Sequence, residues 1–277
     1  MHVPATVQDD VARQLAEDLG AGDITGALVD PSARAIARIV CREAAVLAGR
    51  PWAEACFRQL DPQVRVQWHH ADGDSLAAGT RICHVEGNAR ALLAAERSAL
   101  NFLQTLSGTA TVTRQYVDAV AGTGATILDT RKTIPGLRAA QKYAVRCGGG
   151  ANHRFGLYDM VLIKENHVTA AGGVTQAIGA ARAANPGVFL LCEVESIEQL
   201  REAIEAGADR VMLDEFSADM VRAAVAVAKG RMPLEVSGSI DLSRVRAVAE
   251  TGVDFISVGA LTKHLRAIDL SMRFDDG

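Results

Sequence analysis

The chain has 277 residues, 49% hydrophobic and 22% charged, with 29 Lys+Arg against 33 Asp+Glu. This is an ordinary globular composition, long enough for one large or two modest domains, and it excludes disorder, collagen and coiled coil as the dominant state. The formal net charge of −4 excludes the bulk electrostatic footprint that nucleic acid or an anionic membrane surface requires. Cys41, Cys56, Cys83, Cys147 and Cys192 are scattered with no C-x-x-C pair, so they read as reduced thiols rather than disulfides or zinc ligands. The N-terminal stretch has no apolar signal core, and no apolar run reaches bilayer-spanning length. The expected compartment is the cytoplasm.

Taken in chain order, Val7, Val11, Leu15 and Leu19 form the i, i+4 stripe of an amphipathic helix. A turn-like stretch follows at Gly20-Ala21-Gly22-Asp23. Strands are predicted over Ala37–Leu47, Val64–His69 and Arg81–Glu86, separated by turn residues, with a helix over Pro51–Leu60 between the first two. Ala89–Leu106 is rich in good helix formers. Ser107-Gly108-Thr109 interrupts that pattern before it resumes over Val112–Val120, and a domain boundary is placed there.

From residue 125 apolar strands are predicted at Thr126–Leu128, Met160–Ile163, Val188–Cys192, Arg210–Leu213, Leu234–Val236 and Phe255–Val258. Helices are predicted at Leu137–Arg146, Val174–Ala184, Ile197–Ala206, Asp219–Lys229 and Leu242–Glu250. Gly207 and Gly252 sit where helix-terminating glycines belong. This alternation predicts a parallel sheet built from βαβ units, an incomplete barrel of six or seven strands. A doubly wound open sheet is the alternative, although no G-x-G-x-x-G follows the first strand.

The strand ends carry the chemistry. They read Asp129-Thr130-Arg131-Lys132, Lys164-Glu165-Asn166-His167, Glu193-Val194-Glu195, Asp214-Glu215, Ser237-Gly238-Ser239 and, after Ser257-Val258, Gly259-Ala260. Polar residues at the carboxyl end of successive parallel strands mark the catalytic face of a barrel. One such end alone would be a solvated loop; repetition makes the case. From Arg131 to Lys164 there are seven basic residues and one acid, Asp159, a net +6 that leaves −10 over the rest. A cationic segment in an acidic chain points to a small polyanion, phosphate or carboxylate. Arg138, Lys142 and Arg146 recur every four residues and read as a solvated or interface stripe, whereas Arg131, Lys132, Arg154 and Lys164 read as ligand contacts. His153 is open between an anion donor and a structural histidine. Glu195 and Asp214 end neighbouring strands. They read either as partners of Mg²⁺ held mainly by substrate phosphates, or as counter-ions of Lys132 and Lys164.

Several strings together resemble the quinolinate phosphoribosyltransferase family. They are Glu96-Arg97-Ser98-Ala99-Leu100-Asn101, Asp129-Thr130-Arg131-Lys132-Thr133, Pro135-Gly136-Leu137-Arg138, Lys142-Tyr143-Ala144-Val145, Asn152-His153-Arg154, Leu162-Ile163-Lys164-Glu165-Asn166-His167, Glu193-Val194-Glu195, Leu213-Asp214, Ser237-Gly238 and Val258-Gly259-Ala260-Leu261. Asp18-Leu19-Gly20 with Gly22-Asp23-Ile24-Thr25 near the start continues the likeness. Two departures stand out: Ser239 where some relatives carry a second glycine, and Lys263-His264 where others have a single histidine.

The resemblance implies an N-terminal α/β sandwich-like domain over residues 1–108, joined by residues 266–277, and an α/β barrel over 109–265. It implies transfer of phosphoribose from phosphoribosyl pyrophosphate to quinolinate with loss of CO₂, giving nicotinate mononucleotide and pyrophosphate, with Mg²⁺. It implies a homodimer or higher oligomer in which Arg97 reaches the partner's site. The implied catalytic set is Lys132, Lys164, Glu195 and Asp214, with Lys132 a candidate for the final protonation. The implied substrate-binding set is Arg97, Thr130, Arg131, Lys132, His153, Arg154, Lys164, Glu195, Asp214, Ser237, Gly238, Ser257, Val258 and Gly259. Competing expectations are a barrel aldolase with Lys164 as Schiff-base nucleophile, a phosphoribosyltransferase acting on nicotinate without decarboxylation, and a catalytically divergent anion-binding paralogue.

Overall fold

A computed structural model of the chain describes residues 2–275. In chain order the elements are α1 (Val7–Leu19), β1 (Arg34–Cys41), β2 (Ala45–Val46), α2 (Arg50–Leu60), β3 (Arg65–Trp68), β4 (Ser75–Leu76), β5 (Arg81–Asn88), α3 (Ala89–Ala119), β6 (Thr126–Leu128), α4 (Arg138–Cys147) and β7 (Val161–Ile163). They continue with α5 (Glu165–Ala171), α6 (Val174–Ala184), β8 (Leu190–Val194), α7 (Ile197–Glu205), β9 (Arg210–Asp214), α8 (Ala218–Ala228), β10 (Leu234–Ser237), α9 (Val245–Ala249), β11 (Phe255–Ser257), α10 (Ala260–Lys263) and β12 (Leu270–Phe274). Two compact units result. One is drawn from residues up to 114, 133–149 and 261 onward, the other from 115–132 and 150–260.

The first unit holds an antiparallel sheet in the order β12-β1-β5-β3. β1 alternates buried and less buried positions along its length, as a strand with one covered face must. Its partner β12 comes from the far end of the chain, with Ile39 opposite Met272; residues 276 and 277 of the expected C-terminal segment lie outside the described residues. The stripe on α1 buries Val7, Val11 and Leu15, and Asp10 beside them accepts a 3.0 Å bond from Trp52 Nε1. The strand predicted over Ala37–Leu47 is divided into β1 and β2. β1 stays in register with the C-terminal strand as far as the bond from Arg42 N–H to Asp269 O, and the chain then leaves it before Ala45–Val46 pair with β4 instead.

α3 corrects a second expectation, because it runs 31 residues without the predicted break. Ser107 and Gly108 are small for tertiary reasons. Ser107 Oγ accepts from Ala48 N–H at 3.0 Å and donates to Ala48 O at 3.2 Å. A Cβ on Gly108 would lie 2.3 Å from the backbone oxygen of Arg266. Packing against a neighbouring backbone outweighs the ~1 kcal/mol helix penalty of a glycine. Gly108→Val is accordingly expected to destabilise the protein by at least ~1–3 kcal/mol, the cost of overpacking a tight contact, read as a lowered urea midpoint.

The second unit is built on a six-stranded parallel sheet in the order β6-β11-β10-β9-β8-β7. Each strand is short and apolar because both faces are covered, β8 being buried throughout. Sequence neighbours pair along the whole run except that β6 pairs with β11, at Ile127 opposite Ile256. Beyond β6, Leu128 makes a single parallel bridge to Ala151. Among the described residues no strand pairing joins that segment to β7. Of the helices in this unit, α6 keeps its predicted bounds, and α5 was not predicted.

All five cysteines are free and buried. Burial pushes the thiols of Cys56, Cys83, Cys147 and Cys192 up to about 12, and raises that of Cys41 as well. Since the thiolate is the reactive form, an aromatic disulfide reagent is expected to titrate none of the five in the native protein and all five in denaturant. No helix among the described residues is long and apolar enough to cross a membrane.

Candidate active site

The register of the parallel sheet aligns the polar strand ends. Asp214 on β9 pairs with Ser237 on β10. Val194 on β8 pairs with Leu213, so Glu195 follows one step on, level with Asp214. Val236 pairs with Ile256, which brings Ser257 level with Ser237. Strands about 4.8 Å apart thus carry Glu195, Asp214, Ser237 and Ser257 in one row across the carboxyl end of the sheet. Ser257 Oγ turns inward and donates to Glu235 Oε1. Val258 N–H is spent on Leu128 O at 2.9 Å.

Gly238 has φ of 102°, and a Cβ there would meet Glu215 Oε1 at 2.6 Å. The loops after β9 and β10 therefore touch. Glu215 and Ser239 both adopt positive φ, 51° and 37°, a conformation that favours glycine. The serine standing at 239 accommodates a backbone shape that a second glycine would take without strain.

The cationic residues form two groups. A cavity of about 390 Å³ along β7 is lined by Arg131, Arg154, Lys164 and His167, together with Tyr158 and Leu162. Lys132 lies instead over Gly259. A Cβ on that glycine would sit 3.1 Å from Lys132 Cδ and 3.6 Å from Thr130 Oγ1. Arg97 is exposed on α3 in the other unit.

Lys164 immediately follows β7, and Ile163 pairs with Cys192, which sets Lys164 level with Glu193. Its Nζ lies 2.8 and 3.2 Å from the two carboxylate oxygens of Glu193. The counter-ion of Lys164 is thus Glu193, not Glu195 or Asp214 as one expectation had it, because the register selects it. The residues after Lys164 are not a loop but the first turn of α5, where His167 Nδ1 accepts from the Lys164 N–H at 3.0 Å. The stripe on α4 is corrected too: Arg146 is exposed, but Lys142 is only 1% accessible.

Two fully buried carboxylates sit beneath the cations. Asp129, directly after β6, accepts from the His153 N–H at 2.9 Å and from Asn152 Nδ2 at 2.6 Å. Glu235, in the middle of β10, faces His153 Nε2 at 3.3 Å and accepts from Arg210 Nη1 at 3.0 Å. Burial by itself would push the Glu235 carboxyl up, but His153, Ser257 and Arg210 outweigh it and hold the group below its ordinary value. The folded group is the stronger acid. Its contribution to stability is therefore complete above the ordinary glutamate range and lost as pH falls through the depressed value. Arg210 stacks over the Phe255 ring, 3.7 Å from its centroid. Burial, and Arg131 close by, draw the Arg154 guanidinium below its usual value.

Sequence reasoning missed Glu193 as a partner and Glu235 altogether. The one signal for Glu235 was a carboxylate inside an apolar strand, Leu234-Glu235-Val236, where a charge is retained only with partners.

Glu195 and Asp214 offer hard oxygen donors side by side, a set that suits Mg²⁺ shared with phosphates and water. Among the described residues no group of three His, Cys, Asp or Glu could hold a metal ion. The donor set therefore fits a cation that the substrate largely coordinates.

Comparison with known proteins identifies the family. The quinolinate phosphoribosyl transferase C-terminal domain matches residues 109–273, and the corresponding N-terminal domain matches residues 23–107. A probable nicotinate-nucleotide pyrophosphorylase (carboxylating) of Bacillus subtilis is 44% identical over 92% of this chain and 89% of its own. The mitochondrial quinolinate phosphoribosyltransferase (decarboxylating) 2 of Nicotiana glauca is 39% identical over 94% of this chain and 80% of its own. The solved nicotinate-nucleotide pyrophosphorylase of Francisella tularensis superposes with a TM-score of 0.96 at 47% identity, covering 99% of this chain and 98% of that one. This chain belongs to the quinolinate phosphoribosyltransferase family, the decarboxylating pentosyltransferases of NAD biosynthesis.

Proposed function

We propose that the cavity of Arg131, Arg154 and Lys164 holds the two carboxylates of quinolinate, and that the row Glu195, Asp214, Ser237 and Gly238, with Thr130, Lys132 and Gly259, holds phosphoribosyl pyrophosphate. The observation that carries this reading is the convergence of three cations from separate segments on one 390 Å³ cavity. Arginine offers a planar donor fork matched to carboxylate, and lysine a point charge. Lys164 already balances Glu193, so an arriving dianion meets a partly neutralised cation and two arginines.

As pyrophosphate leaves, positive character grows on the anomeric carbon, and Glu195 and Asp214 would orient the ribose hydroxyls beside it. Glu195 and Asp214, together with phosphate oxygens, would hold Mg²⁺, which would supply charge neutralisation on the leaving group. Attack by the ring nitrogen makes a pyridinium, which accepts the electron pair released when the adjacent carboxylate departs as CO₂. The protein's share is to position and to neutralise. Lys132, over Gly259, is the candidate source of the proton that replaces the lost carboxylate.

A homo-oligomer with shared sites is part of this proposal. Its support is an apolar surface on the first unit, where Ile24 and Leu28 are 91% and 86% exposed. Their segment lines a cavity with Arg90, Ala91 and Ala94 of α3, less than one turn before Arg97. Exposed apolar patches of this kind mark association surfaces.

The test supplies quinolinate, phosphoribosyl pyrophosphate and Mg²⁺ and measures CO₂ and nicotinate mononucleotide in equal amounts. Turnover with nicotinate in a parallel run, and none with quinolinate, would favour the non-decarboxylating reading instead.

A further inference from the structure

His153 is buried, 8% accessible. Nδ1 accepts from the Arg154 backbone N–H at 2.7 Å. Nδ1 is thus the unprotonated nitrogen, and Nε2 carries the hydrogen that faces Glu235 at 3.3 Å. A chain of close contacts therefore runs from a fully buried carboxylate, past one imidazole, to the backbone of Arg154. Asp129 grips the same segment from the other side, through the His153 N–H and the Asn152 amide. Arg154 in turn reaches the Met160 carbonyl at 3.5 Å and lines the cation cavity.

We propose that Glu235 is a positioning residue for the quinolinate site. It fixes the tautomer of His153, and His153 fixes the Arg154 backbone from which the carboxylate-binding guanidinium projects. Glu235 is anchored on Oε2 by Arg210, while its Oε1 accepts from Ser257 and faces the imidazole. An arginine whose own N–H and that of the preceding residue are both held loses less freedom on gripping a ligand, which is how preorganised sites gain affinity. Replacing the carboxylate by an amide keeps the shape but presents His153 with a group that can donate, so the imidazole would exchange its proton between nitrogens and release the Arg154 N–H.

The inference rests on the quinolinate reading above, and its test separates the two. Ring ¹⁵N spectra of the wild-type protein at neutral pH, with His153 assigned by its loss in His153→Gln, are expected to show the Nε2–H tautomer without any substrate. An Nδ1–H or doubly protonated ring would overturn the proposal whatever the activity. Folded Glu235→Gln is expected to lose that signature and to raise the KM for quinolinate at least ~10-fold, the scale of one buried charge-assisted bond. The KM for phosphoribosyl pyrophosphate should change little. A Glu235→Gln protein with wild-type tautomer and wild-type quinolinate KM would refute it. Should that variant fail to fold, the wild-type spectrum decides. Loss of the quinolinate reading itself would show as unaltered activity in Arg154→Ala, with the His153 spectrum untouched.

Discussion

Lys164→Ala and Arg154→Ala are expected to lower kcat/KM for quinolinate by at least ~100-fold, the cost of removing one preorganised charge donor. Both side chains line one cavity, yet their losses should differ in character. Lys164 is 47% exposed while its partner Glu193 is 6% exposed, so the alanine variant strands a buried carboxylate and loses stability as well as turnover. Lys164→Gln keeps a donor for Glu193 and should lose the turnover with a smaller fall in Tm. Arg154→Ala removes a guanidinium already burdened by burial and by Arg131, and should leave Tm nearer to wild type. Near-wild-type kcat/KM in both alanine variants would remove the cation cavity from the reaction.

The second large effect is expected far along the chain. Arg97 is exposed on α3, and truncating an exposed side chain costs little stability. Arg97→Ala should nevertheless be inactive if the residue serves a neighbouring subunit. Mixed with inactive Lys164→Ala and allowed to exchange subunits, it should regain activity. Random pairing into dimers makes half of them mixed, each with one intact site, or about a quarter of wild-type turnover. Confirmed subunit exchange with no recovered activity would sink the shared-site proposal.

The parts of this architecture that local periodicity controls were legible in the sequence. α1 and α6 take their predicted bounds, and the six apolar runs after residue 125 become the six parallel strands. The misses share one cause, a long-range contact invisible to a local pattern. Ser107-Gly108 looked like a break because nothing local reveals Ala48 and Arg266 packed against it. Lys142 looked solvated because every fourth residue of its stripe is basic, yet the segment around it is buried. One of two readings of Glu195 and Asp214 gives Lys164 the wrong counter-ion, because only strand register distinguishes Glu193 from Glu195. Glu235 was passed over because a single acid hardly changes the apolar character of its strand. The cationic residues themselves were found because charge runs so strongly against the rest of the composition.

Among the described residues the sheet of the second unit is laced from β6 to β7 but not back again, and the stretch bearing Asn152, His153 and Arg154 follows the isolated bridge at Ala151. The backbone of a laced strand is fixed by its ladder bonds. At the unlaced seam side chains do that work instead, Asp129 on the His153 N–H and the His153 ring on the Arg154 N–H. The stiffness of the substrate's grip thus rests on two buried acids and a ring rather than on the rungs of the sheet.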